Sequence, residues 1–331
     1  MPQPTADDDA RLRVRGEVTA AEAAGVLRLA EAAAAADAVG PLSEQVLLHL
    51  RYGGDPAARN LLLEAAGELA GYAHLAPPDA AAGRSGELVV HPAHRRRGHG
   101  LALARAVLAA GEGAEVRIWA HGDLPAASRL AALAGFTRAR ALWQMRRPLR
   151  EALPQPAFPA GVTVRSFAPG ADEEAWLALN ARAFASHPEQ GGWARADLDH
   201  REREAWFDPA GFFLAERSGR LAGFHWTKVH PAGSAGSGEV GEVYVVGVDP
   251  AERGTGLGRA LTLAGLRHLR EQGLAEVMLY VDESNTPAIR LYESLGFEHT
   301  GTDVMFRHPA APGQEFSSLP GHPEPRQAPQ E

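Results

Sequence analysis

The sequence contains no cysteine among its 331 residues. This absence excludes disulfides, thiolate metal sites and cysteine nucleophiles. No apolar run approaches the roughly 20 residues that a membrane-spanning helix needs, and the start MPQPTADDDA lacks the basic and apolar segments of a secretory signal. We therefore expect a cytoplasmic protein that does not span a membrane.

A basic charge field is also missing, because the net charge is -8 at pH 7. Binding to the phosphates of nucleic acids requires a basic surface, so we expect no nucleic-acid partner. The hydrophobic and charged fractions, 45% and 22%, are typical of a globular protein. A chain of 331 residues exceeds the usual size of one core, so two domains are expected.

Composition divides the chain. Residues 1–10 are acidic and polar, and residues 308–331 mix Pro, Gly and polar residues without apolar periodicity, which predicts disordered tails. The stretch RRPLREALPQPAFPAG at 146–161 holds four prolines and reads as a linker. The predicted divisions are a tail at 1–10, a domain at 11–147, a linker at 148–161, a second domain at 162–307 and a tail at 308–331.

The two predicted domains look like copies of each other. LAGY at 69–72 recurs as LAGF at 221–224, and each lies in a predicted β-hairpin. Glycine-rich turns and Gly-Phe pairs recur at similar offsets, which favours duplication. In the first copy, PLSEQVLLHLRYGG predicts a helix capped by Ser43. Each copy predicts an α/β fold of the α+β type, in which helices flank a mixed, largely antiparallel sheet.

The stretch GEVYVVGVDPAERGTGLGRAL at 241–261 joins an apolar strand to a helix predicted from about Gly258. Gly254, Gly256 and Gly258 let backbone N–H groups converge at a helix N-terminus, and Arg253 and Arg259 add positive charge. A diphosphate suits such a turn. The spacing matches neither a Walker loop nor a dinucleotide fingerprint, and a surface turn with glycines for loop geometry is the alternative.

The segment VDPAERGTGLG resembles the acetyl-CoA pyrophosphate loop of the GNAT superfamily of N-acetyltransferases. NTPAIRLYESLGF at 285–297 resembles the second signature of that superfamily, and the two copies together extend over about 11–307. HPEQGGW at 187–193 and FHWTKVHP at 224–231 are similar to tandem-domain members of the superfamily from actinobacteria. This resemblance implies two tandem GNAT domains.

The resemblance also implies a reaction and its partners. Acetyl would pass from the cosubstrate acetyl-CoA to the cysteinyl amine of a small cysteine–glucosamine–inositol conjugate. Separately from the resemblance, we expect a monomer that uses no metal. The implied acetyl-CoA contacts in the second copy are Val246, Gly247, Val248, Arg253, Gly254, Thr255, Gly256, Leu257, Gly258, Arg259, Asn285, Thr286, Pro287, Ala288, Ile289 and Arg290.

Two residues of the second copy are candidates for catalysis. Glu242 is the expected base, acting through water on an α-amine whose pKa is about 8; a solvated charge on a strand face is the alternative. A backbone N–H group near Val246 to Val248 is expected to bind the thioester carbonyl. Tyr292 is the expected acid for the leaving thiolate, although proton transfer from tyrosine to a thiolate is uphill by about 2 kcal/mol. Tyr292 is therefore expected to stabilise the thiolate by a hydrogen bond, and packing on the sheet is its alternative role.

The acceptor contacts are carried over from the matching motifs. They are Glu44 from the first copy and Glu189, Lys228, Glu242 and Tyr280 from the second. Acidic and hydrogen-bonding groups suit a cationic, polyhydroxylated acceptor. Each of these residues has an ordinary surface role as its alternative, and Glu44 also suits the first turn of its helix.

The first copy keeps the strand and the turn but not the catalytic side chains. By offset, Tyr292 aligns with Ala131, Glu242 with Arg84 and Asn285 with Leu124. We therefore expect a non-catalytic domain that binds acetyl-CoA. The implied contacts there are Leu88, Val89, Val90, Arg96, Arg97, Gly98, His99, Gly100 and Leu101.

His91, His94 and His99 lie close together in the sequence of the first copy, a spacing that can bind a metal. They are surrounded by arginines and no carboxylate cluster accompanies them, so we expect no metal there.

Two further functions remain open from the sequence. One is a tandem acetyltransferase for another amine, such as an aminoglycoside or a peptide N-terminus. The other is a regulator that binds acetyl-CoA without catalysis. The presence of Glu242 and Tyr292 in one copy favours an enzyme.

Overall fold

The computed structural model describes residues 10–79, 83–185, 188–232 and 238–310, without the side chains of residues 188 and 189. Of the two predicted tails, residues 1–9 and 311–331 lie outside the described residues. No described helix is long and apolar enough to cross a membrane.

The N-terminal half contains four helices and six strands within the described residues. They are β1 (Arg11–Arg15), α1 (Ala20–Asp37), α2 (Glu44–Tyr52), β2 (Arg59–Ala65), β3 (Glu68–Leu75), β4 (Arg84–Val90), α3 (His99–Ala110), β5 (Val116–Ala120), α4 (Pro125–Leu133) and β6 (Thr137–Pro148). The predicted hairpin β2–β3 and the helix after Ser43 are confirmed.

The C-terminal half repeats this order with an additional short helix. Its elements are β7 (Val162–Ser166), α5 (Glu173–Ala183), α6 (Pro188–Gly191), α7 (Arg195–Glu202), β8 (Phe212–Arg217), β9 (Arg220–His230), β10 (Val240–Val248), α8 (Leu257–Glu271), β11 (Glu276–Asp282), α9 (Thr286–Ser294) and β12 (Glu298–His308). The predicted hairpin β8–β9 is confirmed.

All the strands form one sheet, in the order β1-β2-β3-β4-β5-β12-β6-β11-β10-β9-β8-β7. Only β4 with β5 and β10 with β11 pair in parallel among the described strands, so the predicted mixed, largely antiparallel sheet is confirmed. The last strand of each half crosses to the other half: β12 pairs with β5, and β6 pairs with β11. The two halves therefore share one continuous sheet.

The Pro-rich segment after β6 lies against the protein rather than standing apart from it. Leu149 and Leu153 are 1% and 7% exposed and belong to the core cluster beneath α8 and α9. The division between the two domains at 148–161 stays a prediction of the sequence repeat, because the sheet continues across it.

The two glycine-rich turns have the same backbone conformation. In the C-terminal half, Gly254 and Gly256 have φ angles of +77° and +87°. In the N-terminal half, Arg96 and Gly98 occupy the equivalent positions with φ angles of +65° and +90°. A left-handed arginine is strained, so the matching geometry supports duplication of the whole strand-turn-helix unit.

The packing of α8 on the sheet depends on a glycine in the helix. A Cβ atom added to Gly265 would lie 2.1 Å from the ring of His225. That ring is fully buried, and its Nδ1 lies 2.8 Å from the carbonyl oxygen of Leu261. The ring therefore has no room to move away without losing this contact.

We expect Gly265→Ala to lower the free energy of unfolding by about 1–2 kcal/mol, because overpacking outweighs the helix propensity gained. Urea unfolding measures the change. The matched control is Gly25→Ala in α1, where an added Cβ would make only ordinary contacts, with Leu69 at 3.6 Å and Arg28 at 4.0 Å. The control should leave stability unchanged or raise it by up to about 1 kcal/mol. Equal destabilisation by both variants would contradict the packing argument.

Candidate active site

The two parallel strands at the centre of the C-terminal half separate at Glu242. The described pairs between β10 and β11 are Gly241 with Val277 and Glu242 with Met278. Just beyond them, β10 has a bulge at Tyr244, between Val243 and Val245. Bulges bend a strand and redirect its side chains, so a cleft opens between β10 and β11 at this point.

Beyond Glu242, the edge of β10 carries backbone donors that do not pair with β11 within the described residues. The N–H group of Asp249 donates to the carbonyl oxygen of Ala222 in β9 at 2.9 Å. Alternate N–H groups of a strand face opposite edges, so those of Val246 and Val248 face the cleft. This is the orientation that a donor to a thioester carbonyl oxygen requires.

The turn after β10 is open to a ligand. No atom lies within 4 Å of a Cβ placed on Gly254 or Gly256. Arg253 is exposed, and its side chain makes no hydrogen bond or ion pair with any other described residue. Thr255, Leu257 and Gly258 complete the turn and the first turn of α8. Exposed amides at a helix N-terminus suit a diphosphate.

The end of α9 lies beside the first turn of α8. Arg259 of α8 donates to the Ser294 hydroxyl of α9 at 2.7 Å. Asn285 caps α9 by accepting from the N–H group of Ala288 at 3.3 Å. The structure therefore brings the two sequence signatures together. The remaining predicted contacts, Thr286, Pro287, Ala288, Ile289 and Arg290, form the first turns of α9.

Glu242 is buried where the strands separate. It is 6% exposed, which excludes the alternative of a solvated surface charge. Its carboxylate lies 2.6 Å from Nε2 of His230 on β9. His230 could not be predicted from the sequence, because only the pairing of β9 with β10 brings its side chain to Glu242.

Tyr292 lies at the end of α9 against the C-terminal core. Its ring is 5.7 Å from that of Phe297, in a T-shaped contact. Burial raises the pKa of Tyr292 to about 12. The hydroxyl therefore stays protonated near neutral pH, and proton transfer to a thiolate becomes still less favourable. The ring of Tyr292 can therefore pack against Phe297 while its protonated hydroxyl remains a hydrogen-bond donor.

Glu44 crosses from the N-terminal half into this site. Its carboxylate accepts hydrogen bonds from the Lys228 ammonium and, at 2.6 Å, from the Tyr244 hydroxyl. Burial alone would raise the pKa of Glu44, but the nearby Lys228 charge and these hydrogen bonds lower it. Arg201 of α7 donates to the Tyr244 hydroxyl at 2.7 Å. Glu44 is thus a partly buried ion-pair partner rather than a helix-end charge alone.

Lys228 is the only lysine in a chain with 33 lysine and arginine residues. Its ammonium lies 4.4 Å from the Trp206 ring centroid and 5.0 Å from that of Tyr244. An ammonium is more compact than a guanidinium, and it fits an aromatic cage as a point charge. Tyr244, Arg201 and Trp206 were not predicted. They come together only in the folded chain, where Tyr244 contacts Glu44 of α2 and Arg201 of α7, and Trp206 packs against Lys228.

Tyr280 and Glu189 are the two remaining predicted acceptor contacts, and the structure describes the side chain of Tyr280 alone. Tyr280 is 40% exposed and its hydroxyl accepts a hydrogen bond from Gln144 at 3.0 Å. Desolvation of its hydroxyl and the charge of Glu242 raise the pKa of Tyr280, although part of the ring is exposed. The side chain of Glu189 lies outside the described residues.

The N-terminal half contains a cavity of about 280 Å³ beside its own turn. Ala131 lines it at the position that Tyr292 occupies in the other half. Arg95 and Asp37 both line the cavity, and the guanidinium of Arg95 donates two hydrogen bonds of 2.7 Å to the Asp37 carboxylate. The predicted contacts Leu88, Val89, Val90, Arg96 and Gly100 also line the cavity, and Arg97, Gly98, His99 and Leu101 form the turn and the start of α3.

One sequence correspondence was wrong. The expected counterpart of Glu242 was Arg84, but the strand pairs place Ser85 there: Ser85 pairs with Arg117 as Glu242 pairs with Met278. The bulge at Tyr244 adds one residue to β10, and β4 has no such bulge in its pairing with β3. The conclusion that the N-terminal half lacks a carboxylate at this position is unchanged.

A buried acidic and basic cluster lies where β4 and β5 separate. Glu87 is 4% exposed, and its carboxylate lies 3.7 Å from Nε2 of His121. Nδ1 of His121 lies 2.9 Å from Asp303, which β12 brings from the C-terminal half. Burial would lower the pKa of His121, but Asp303 and Glu87 outweigh it and raise that pKa to about 10.

We expect this cluster to make stability depend on pH. The folded pKa of His121 lies above its unfolded value of about 6.5. Its contribution is therefore complete below pH about 6.5, declines by up to about 1.4 kcal/mol per pH unit, and is exhausted above pH about 10. Urea unfolding of the wild type and His121→Gln at several pH values measures it. The difference between the two proteins should shrink as pH rises; a constant difference would contradict the assignment.

The three histidines near the first turn do not form a metal site in the structure. His94 lies 3.2 Å from Glu68, His91 accepts from the N–H group of Ala93, and His99 is buried at the start of α3. Over the ranges given above, no three histidine or acidic residues are arranged to hold a metal ion.

Comparison with known proteins gives consistent matches. The sequence model of the Acetyltransferase (GNAT) family matches residues 29–136 and 175–297, once in each half. The chain is 65% identical over 296 residues to a protein of Thermobispora bispora named mycothiol acetyltransferase, and the match covers 89% of this chain and 99% of that protein. A protein of the same name from Streptosporangium roseum is 55% identical, with 90% and 99% covered.

A solved structure has the same fold. It is described as a tandem GNAT protein from the clavulanic acid biosynthesis pathway, and it superposes with a TM-score of 0.67 at 24% identity. The match covers 92% of this chain and all of that one. The predicted tandem arrangement of two such domains is therefore confirmed.

Proposed function

The chain belongs to the acetyltransferase (GNAT) family, and from that premise we propose that it transfers acetyl from acetyl-CoA to the cysteinyl amine of a cysteine–glucosamine–inositol conjugate, the last step of mycothiol biosynthesis. The observation that carries the proposal is the acceptor cluster, in which Glu44 of one half meets Lys228 and Tyr244 of the other. An acceptor with two ring units and a cysteine is long enough to contact both halves. The identity to proteins named mycothiol acetyltransferase supports the same acceptor.

We assign acetyl-CoA to the C-terminal cleft. The amides of Gly254, Gly256 and Gly258, together with Arg253, would hold the diphosphate at the N-terminus of α8. The N–H groups of Val246 and Val248 face the cleft and suit the thioester carbonyl oxygen. Asn285 would help to position the cosubstrate at the start of α9.

The proposed reaction is a direct transfer. The neutral amine attacks the thioester carbon, so a carbon–nitrogen bond forms and the carbon–sulfur bond breaks. Glu242 takes the proton that the nitrogen loses, through a water molecule, and the hydrogen bond to His230 holds its carboxylate in place. Coenzyme A leaves as a thiolate that accepts a hydrogen bond from Tyr292 and takes its proton from solvent.

Tyr292→Phe is expected to lower kcat by about 10- to 100-fold, because a hydrogen bond to a developing charge is worth about 1.5–3 kcal/mol. The ring packing against Phe297 is retained in this variant, so stability should change little. Steady-state kinetics with acyl donors of different leaving-thiol acidity check the role: the loss should shrink as the thiol becomes more acidic. The same loss for every thiol would assign Tyr292 to packing.

The N-terminal half is proposed to bind acetyl-CoA without turning it over. It retains the turn and a cavity of about 280 Å³, but has Ala131 and Ser85 in place of Tyr292 and Glu242. Equilibrium dialysis with acetyl-CoA should give two bound molecules per chain. A stoichiometry near one would refute binding by this half.

Mass spectrometry of product tests the acceptor. The protein is incubated with acetyl-CoA and the cysteinyl conjugate, and in parallel with an aminoglycoside or a peptide that has a free N-terminus. Acetylation of the conjugate at the α-amine is expected, with kcat/KM at least about 100-fold above the other amines. Preference for another amine would overturn the acceptor assignment, and no turnover of any amine would favour a regulator.

A further inference from the structure

The N-cap of α2 lies between two functional regions. The backbone N–H group of Ser43 donates to Glu87 at 2.7 Å. The next residue, Glu44, accepts hydrogen bonds from Lys228 and Tyr244. Two consecutive residues, Ser43 and Glu44, therefore join the buried cluster of the N-terminal half to the acceptor site of the C-terminal half.

Glu87 holds the N-cap residue of α2 through a shorter hydrogen bond than the capping hydroxyl makes. The hydroxyl of Ser43 accepts a hydrogen bond from the N–H group of Val46, but at 3.5 Å this capping bond is long and weak. The contact of Glu87 is shorter, and the acceptor is a charged carboxylate at a helix N-terminus, where the dipole favours negative charge.

Glu87 is itself held rigidly. His121 balances its charge and Asp303 orients His121 in turn. Burial alone would raise the pKa of Glu87, but its contacts with His121 and Ser43 lower it, so it is a carboxylate near neutral pH. A fully buried, paired carboxylate has few alternative positions, which makes it an effective anchor.

We propose that Glu87 is a positioning residue of the acceptor site: by binding the N–H group of Ser43, it fixes the start of α2 and so places the Glu44 carboxylate against Lys228 and Tyr244. The inference rests on the proposed role of Glu44 in binding the acceptor. Glu87 touches neither substrate in this account. Its effect appears in acceptor binding and not in the chemical step.

The matched pair Ser43→Pro and Ser43→Ala isolates the hydrogen bond. The φ angle of Ser43 is -66°, which proline also adopts, so Ser43→Pro removes the N–H group without forcing this torsion. Ser43→Ala removes the capping hydroxyl but keeps the N–H group. We expect Ser43→Pro and Glu87→Ala to raise KM for the amine about 5- to 20-fold, with kcat and KM for acetyl-CoA within about twofold of wild type.

Ser43→Ala is expected to behave as wild type, and Glu87→Gln, which keeps an oxygen acceptor, to lie between wild type and Glu87→Ala. In a Glu44→Gln background, Glu87→Ala should raise KM no further, because its effect passes through Glu44. An equal effect in both backgrounds would overturn the proposal. The kinetics use whichever amine the enzyme acetylates, so a wrong acceptor assignment does not affect this comparison.

A readout independent of activity is available, since Lys228 is the only lysine. The acylation rate of its amine by a water-soluble succinimidyl acetate is followed by peptide mass spectrometry, which separates Lys228 from the N-terminal amine. Ser43→Pro and Glu87→Ala should raise this rate several-fold, as should Glu44→Gln, while Ser43→Ala should not. Thermal melting confirms that each variant is folded at the assay temperature. Unchanged labelling in folded Ser43→Pro and Glu87→Ala would overturn the proposal even if the acceptor is identified correctly.

Discussion

Glu242→Gln is expected to lower kcat by about 100- to 1,000-fold, because it removes the base while keeping the size and the hydrogen-bonding capacity of the side chain. Glu242 is 6% exposed and lies where β10 and β11 separate. It is the only carboxylate among the described residues of β10. Binding of acetyl-CoA should be nearly unaffected, since the turn that binds it is not altered. Steady-state kinetics at saturating acetyl-CoA give both parameters.

The control for this variant is Glu239→Gln, just before β10. Glu239 is exposed, so its substitution changes charge by the same amount without altering the cleft. It should keep kcat within about twofold of wild type. If Glu242→Gln retained more than about one third of the wild-type rate, Glu242 would not be the base.

Gly256→Val is expected to lower kcat/KM for acetyl-CoA by about 100-fold or more. Gly256 has a φ angle of +87°, which a β-branched residue strongly disfavours. Its side chain would also enter the open space in which the diphosphate is proposed to lie. Loss of two charge-assisted hydrogen bonds at about 1.5–3 kcal/mol each is sufficient for this effect.

Gly98→Val is the matched variant in the other half. Gly98 caps α3 with a φ angle of +90°, and it too has no atom within 4 Å of an added Cβ. The strain is therefore similar, but we expect turnover within about threefold of wild type and the loss of one of two bound acetyl-CoA molecules. Equal losses of kcat/KM in the two variants would mean that the N-terminal half takes part in turnover.

The local structure could be predicted from sequence because its signals are short-range. The hairpin turns, the cap at Ser43 and the turn at 253–258 all depend on residues a few positions apart. The helix α8 was predicted from about Gly258 and begins at Leu257. These signals did not predict α1 or the edge strands β1 and β7.

The strand exchange could not be predicted in the same way. The alternation of β6 and β12 shows which face is buried, but not which strand lies beside each one. Each of the two strands is compatible with either half, and only the assembled sheet shows that β12 lies between β5 and β6. Asp303 reaches His121 solely through this exchange, so that cluster was also unpredictable.

The candidate site was predicted in part. Sequence motifs indicated Glu44, Lys228 and Glu242 as separate contacts, and the structure shows Glu44 and Lys228 as one ion pair between the two halves. Tyr244 was missed because the bulge that directs it is a property of the register with β9. The alternation of apolar and polar residues along a strand does not show where one extra residue forms a bulge.

The central claim is that the turn at 253–259 holds the diphosphate of acetyl-CoA and leaves its acyl end beside Glu242. A crystal structure of the protein with bound coenzyme A tests it most directly. We expect the diphosphate to contact the amides of Gly254, Gly256 and Gly258, with the sulfur in the cleft between β10 and β11. Coenzyme A found only in the N-terminal half, with the turn at 253–259 empty, would contradict the claim.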